Sequence, residues 1–127
     1  MNMLIYTPIL EWTRRTCCSQ AISDNEPLVF ISGQTPRAPD GQRLIGAAFE
    51  QQVRVVLDNV EAVARASGLS LLDAVKVDVF LKDLGDRAAF DAIYATYIGK
   101  PAPARTLVQS NFTEFDVEVS AVLRDRI

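Results

Sequence analysis

The feature that most constrains this chain is a long helical stripe in its middle. From Phe49, apolar residues fall at Phe49, Val53, Val56, Leu57, Val60, Val63 and Ala64, a three-to-four spacing sustained over several turns. Gln51, Gln52, Arg54, Asp58, Glu61 and Arg65 take the other side. Such a helix has one apolar face and must lay it on something, and Gly68 stands where a C-terminal cap belongs. A shorter stripe follows at Phe90, Ile93, Tyr94 and Tyr97, with Asp86 placed to cap its start and Gly99 to end it.

What these helices cover is written in period two. Val75, Val77, Val79 and Leu81 alternate with Lys76, Asp78, Phe80 and Lys82; Val117, Val119, Ala121 and Leu123 alternate with Asp116, Glu118 and Ser120. Leu28-Val29-Phe30-Ile31 and Thr106-Leu107-Val108 add shorter strands. Arg37-Ala38-Pro39-Asp40-Gly41 carries turn chemistry, and Ser70 with Asp73 has the spacing of a capping box. The order is strands, long helix, strand, helix, strand, strand. That predicts an α+β fold, a mixed sheet with two main helices packed on one face. The other face then carries Phe80, Glu118 and other mixed residues, and a second copy of the chain is its natural cover. The 127 residues suit a single domain over 1–127, large enough to build a core without staples.

Composition narrows the chemistry. There is no histidine, so a Ser-His-Asp or Cys-His arrangement within one chain is impossible. The two cysteines, Cys17 and Cys18, are adjacent. A bridge between neighbours is strained, so both are expected as reduced thiols, and the usual zinc-ligand spacing is missing. No metal site is expected. Thirteen Lys and Arg against sixteen Asp and Glu give a net charge of -3, without a basic run. Nucleic acid is disfavoured as a partner, since its affinity rests on clustered cations. No run approaches the length of a membrane span, and the first residues lack the pattern of a signal peptide. The expected location is cytoplasmic, with no membrane association.

Five separated pieces resemble one family. Ser19-Gln20-Ala21-Ile22 is similar to its N-terminal SQA segment, and Ser32-Gly33-Gln34-Thr35-Pro36 to its SGQxP turn. Val75-Lys76-Val77-Asp78-Val79-Phe80-Leu81-Lys82-Asp83 resembles its central VKxTVFLxD strand. Pro103-Ala104-Arg105-Thr106 is similar to its PAR[ST] motif, and Val117-Glu118-Val119 to its closing strand. In this order they resemble the Rid/YjgF family of reactive intermediate/imine deaminases, formerly endoribonuclease L-PSP. The resemblance implies a chorismate-mutase-like fold, a homotrimer with clefts between subunits, and hydrolysis of small 2-imino acids to 2-oxo acids and ammonia. It implies no cofactor. It makes Arg105 the holder of a substrate carboxylate and Glu118 the residue that positions or activates water, with Ser32, Gly33, Cys18, Asp91 and Leu107 completing the substrate site.

The chemistry of these side chains agrees. A guanidinium binds a carboxylate through two parallel hydrogen bonds. A protonated C=N is already electrophilic, so orientation and one carboxylate for the water suffice. Departures from the family pattern are Cys18 in place of a tyrosine, Asp91 where Asn is frequent, and Leu107 where Cys is frequent. These leave open a second reading, a non-catalytic module that binds a small carboxylate. Ribonuclease activity fits the charge and the missing histidine poorly. The strands containing Arg105 and Glu118 are separated by a short loop, which predicts an antiparallel pair with Val108 beside Val117, Val119 and Ala121. On that register Arg105 and Glu118 share one face and one cleft near a subunit boundary, with the neighbour's Cys18 or Phe80 region adjoining.

Overall fold

The computed structural model describes residues 3–5, 21–23 and 28–125. Its elements are β1 (Met3–Ile5), β2 (Ala21–Ser23), β3 (Leu28–Gln34), α1 (Phe49–Ala66), β4 (Ala74–Leu81), α2 (Arg87–Tyr94), β5 (Ala104–Gln109) and β6 (Val117–Arg124). The strands form one six-stranded sheet in the order β1-β2-β3-β6-β4-β5. β4 and β5 are parallel; every other described pairing is antiparallel. This is the expected α+β mixed sheet with both helices on one face.

The core follows from the two periodicities. Val53, Val56, Leu57, Val60, Val63 and Ala64 of α1 are fully buried, together with Val77, Val79 and Leu81 of β4 and Val117, Val119 and Leu123 of β6. Val29 and Ile31 of β3 and Phe90, Ile93 and Tyr94 of α2 join the same cluster. α1 ends as its sequence requires. Gly68 takes a positive φ of 80°, which glycine adopts without strain. Its N–H then reaches the carbonyl of Arg65, and that of Leu69 reaches Ala64, each at 3.0 Å, closing a Schellman cap. The Ser70–Asp73 capping box is present and opens a single 3-10 turn, Leu71–Asp73.

Four local expectations are corrected. Gln52, assigned to the polar side of α1, is 2% exposed. Its amide donates to the carbonyl of Ala47 and to Asp116 Oδ2, and its Oε1 accepts from the Asp116 N–H at 2.8 Å, so burial leaves no polar group unsatisfied. Val75 is 39% exposed despite its place in the alternation. A register shift against β6 between Ala74 and Lys76 makes it the bulged residue, and Ala74 takes the inward position opposite Leu123. Asp86 precedes α2 but makes no capping hydrogen bond, whereas Asp83 caps the 3-10 turn before it by accepting from Gly85 N at 2.8 Å. α2 itself stops at Tyr94, five residues before Gly99, and Tyr97 is held by a following turn.

The strand pairing also departs from expectation, and this decides the geometry of the site. β5 does not pair with β6. It joins the outer edge of β4 in parallel, and β6 runs between β4 and β3. The 110–116 loop therefore crosses the end of β4 instead of making a hairpin.

Candidate functional site

The register now places each candidate residue. Arg105 is the partner of Val77, which is the partner of Ala121. Residues opposite one another in a sheet share a face, so Arg105 stands on the helix-covered side. Leu107, aligned with Val79, does the same and packs against the core. Glu118 is the partner of Phe80, on the open side. The expectation that Arg105 and Glu118 share a face is thus wrong. Its cause is β5, an edge strand with no one-sided apolar pattern: Val108, assigned to the core, is 42% exposed, and Leu107 is the inward residue.

Two separate groups result. On the helix side, Arg105 lies under α2. Its Nη1 donates to Asp91 Oδ1 at 2.7 Å. Its guanidinium stands 5.0 Å from the Tyr94 ring centroid and 5.8 Å from that of Phe90, and the two rings stack on each other at 5.4 Å. Helical spacing builds this cradle: Phe90, Asp91 and Tyr94 lie within one turn, so one short helix supplies both an anion and an aromatic platform. The Arg105 side chain is 21% exposed and that of Asp91 is 44% exposed. The Tyr94 hydroxyl is buried and makes no hydrogen bond among the described residues. Burial, the largest influence, pushes its pKa up, so it keeps its proton.

On the open side, Ser32 and Gly33 form a bulge, since Ile31 pairs with Ala121 but Gln34 with Val119. Glu118 folds over this bulge. A Cβ at Gly33 would lie 2.1 Å from Glu118 Oε2, so the absence of a side chain is what gives the carboxylate its position. The Glu118 carboxylate makes no hydrogen bond to the described residues. Burial raises its pKa, and the field of Arg43 pulls it partly back. Arg43 is itself held by Glu114 Oε2 at 3.0 Å and by the face of Phe115 at 4.9 Å. Phe80 stands directly beside Glu118 in the register and Phe30, 48% exposed, lies farther along the same face.

Of the sequence-predicted residues, the structure therefore groups Arg105, Asp91 and Leu107 on one side and Ser32, Gly33 and Glu118 on the other. Cys18 lies outside the described residues. Two surface cavities, of about 370 and 270 Å³, include none of these residues. Sequence reasoning missed Arg43, which carries no motif, and the second role of Phe90 and Tyr94, whose stripe signals core packing and nothing more. No group of three or more His, Cys, Asp or Glu side chains that could hold a metal ion occurs among the described residues. No described helix is long and apolar enough to cross a membrane.

Comparison with known proteins settles the lineage. The family model for Endoribonuclease L-PSP matches residues 15–123. A RutC family protein of Pyrococcus horikoshii is 39% identical over 106 residues, which cover 82% of this chain and 83% of that protein. The chain belongs to the Rid/YjgF family. Among other Rid relatives, the chloroplastic Reactive Intermediate Deaminase A of Arabidopsis thaliana is 37% identical over 91 residues, 72% of this chain and 48% of that longer protein. A crystal structure of Escherichia coli TdcF with bound serine superposes with a TM-score of 0.80 at 29% identity, covering 96% of this chain and 98% of that one.

Proposed function

We propose that this chain hydrolyses small 2-imino acids to 2-oxo acids and ammonia, in a cleft completed by two copies. One copy supplies the Arg105 group and the next supplies the Glu118 group. The observation that carries this reading is the placement of the two groups on opposite faces of one sheet. Each has the chemistry of half a site, and neither can reach the other within the chain.

The division of labour follows from the side chains. Arg105 uses one N–H on Asp91 and keeps its other donors for a ligand carboxylate. Stacking on Tyr94 and Phe90 fixes the plane of the guanidinium, so little freedom is lost on binding. Glu118, half-buried and only partly offset by the field of Arg43, is a stronger base than an exposed glutamate. It takes a proton from water as the water adds to the C=N carbon and returns it to the departing ammonia. A head-to-tail contact between two different patches gives a ring when its rotation closes, and a homotrimer is such a ring. The exposed Phe30 and Val108 give the open face the apolar area such a contact needs. The names of a deaminase relative and of a relative with bound serine support a small carboxylate ligand and this reaction class.

The test generates 2-iminopropanoate and 2-iminobutanoate in situ and follows their disappearance with and without the protein, with light scattering at micromolar concentration alongside. Accelerated loss from a trimer is the expected result. A monomer, or no acceleration, overturns the reading. Carboxylate binding without turnover would instead favour the non-catalytic module, because the Arg105 cradle is complete within one chain.

A further inference from the structure

Asp91 has a consequence for which ligand the cradle holds. Arg105 is not a bare cation. Its guanidinium is paired at 2.7 Å with a carboxylate whose side chain is 44% exposed, and Asp91 Oδ2 receives no hydrogen bond among the described residues. The local charge of the pair is close to zero, so it exerts little net pull on an anion. It presents adjacent positive and negative groups, one at the end of a strand and one on the helix above it, over a shared aromatic floor of Phe90 and Tyr94.

The geometry points to Asp91 as a specificity-determining residue that makes the cradle select a dipolar ligand, with a carboxylate and a cationic nitrogen on neighbouring carbons, over a simple anion. This rests on the proposed imine hydrolysis and refines it. The reactive substrate is the zwitterion R–C(=NH₂⁺)–COO⁻. Water adds to its carbon, the C–N bond breaks, and the products are R–C(=O)–COO⁻ and NH₄⁺. The positive charge leaves with the nitrogen. Substrate therefore offers Arg105 a carboxylate and Asp91 a cation, whereas the 2-oxo acid offers Asp91 a carbonyl oxygen, which a carboxylate repels. The pair holds the protonated imine, the form open to attack, and expels the product. An amide in place of Asp91 would keep the acceptor for Arg105 and lose the discrimination.

The experiment compares two stable probes with one carbon skeleton, 2-aminobutanoate and 2-oxobutanoate, titrated by NMR into the wild-type oligomer and into Asp91→Asn and Asp91→Glu. Wild type should prefer the amino acid. Asp91→Asn should shift the affinity ratio toward the oxo acid by roughly threefold to fivefold, the size of one partly exposed ion contact. Asp91→Glu, which restores the charge, should move it back. If both probes bind with a ratio that Asp91→Asn leaves unchanged, Asp91 is only the counter-ion of Arg105 and this inference falls alone. If neither binds, the carboxylate site falls with it. If the ratio shifts as expected but imines are not hydrolysed, the ligand preference stands and the deaminase reading falls.

Discussion

The two faces of the sheet treat their charged residues in opposite ways. Arg105, on the covered face, is surrounded: an anion at 2.7 Å and two stacked rings. Glu118, on the open face, is half-buried, and its carboxylate lies against the backbone of a glycine and makes no hydrogen bond among the described residues. A group whose partners are already in place binds at low entropic cost and keeps its charge. A carboxylate desolvated without a hydrogen-bond donor has a protonation state that is easily moved. The contrast separates a holding residue from a reacting one, and it does so by environment rather than by residue type.

The sharpest way to break this contrast is Glu118→Gln. It should lower turnover of 2-iminobutanoate by roughly 10²–10⁴-fold while leaving carboxylate affinity nearly intact, as expected for loss of one acid–base group. Stability should respond too. The native carboxyl holds its proton above the range of an unfolded glutamate, so wild type loses some stability as pH rises from that range through the folded pKa. Glu118→Gln should lack that loss, and chemical denaturation at a series of pH values checks it. Next in size, Gly33→Ala places a Cβ 2.1 Å from Glu118 Oε2 and must swing the carboxylate aside. Turnover should fall roughly ten- to a hundredfold, on the scale of a misplaced reacting group, with little change in melting temperature. Arg105→Lys keeps the charge and loses the two-pronged contact. Affinity for 2-oxobutanoate, read by titration, should weaken roughly tenfold. The smallest effect is Tyr94→Phe. Removing a buried hydroxyl that has no partner among the described residues should raise stability by about 1 kcal/mol in denaturant melts. A decrease would mean that the neighbouring copy satisfies that hydroxyl.

Most of the fold was legible because long stripes leave few choices. The spacing from Phe49 to Ala64 fixed which side of α1 is inward, and the alternations of β4 and β6 fixed theirs, apart from Val75 at the bulge. The five motifs also identified the family from the sequence. β5 was illegible for a physical reason. An edge strand with Leu107 on one side and Val108 on the other has no pattern that names its inner face, and a seven-residue loop can either turn back or step across a neighbour. Arg105 and Glu118 were therefore found as residues and misplaced as a pair. Gln52 misled for the converse reason: polarity signals the outside unless a partner waits inside, and Asp116 is 64 positions away.

That clamp has an effect on how the chain tolerates change. Asp116 is fixed three times over, its N–H and side chain by Gln52 and its carbonyl by the N–H of Lys82. It lies two residues before Glu118, at the end of the loop that carries the chain from β5 to β6. Added or deleted residues among 110–115 alter a closure whose entropy varies slowly with length. They end at an anchor before they can slide β6 past β4. A change of loop length is thus absorbed ahead of Asp116, and the strand that presents the carboxylate keeps its register.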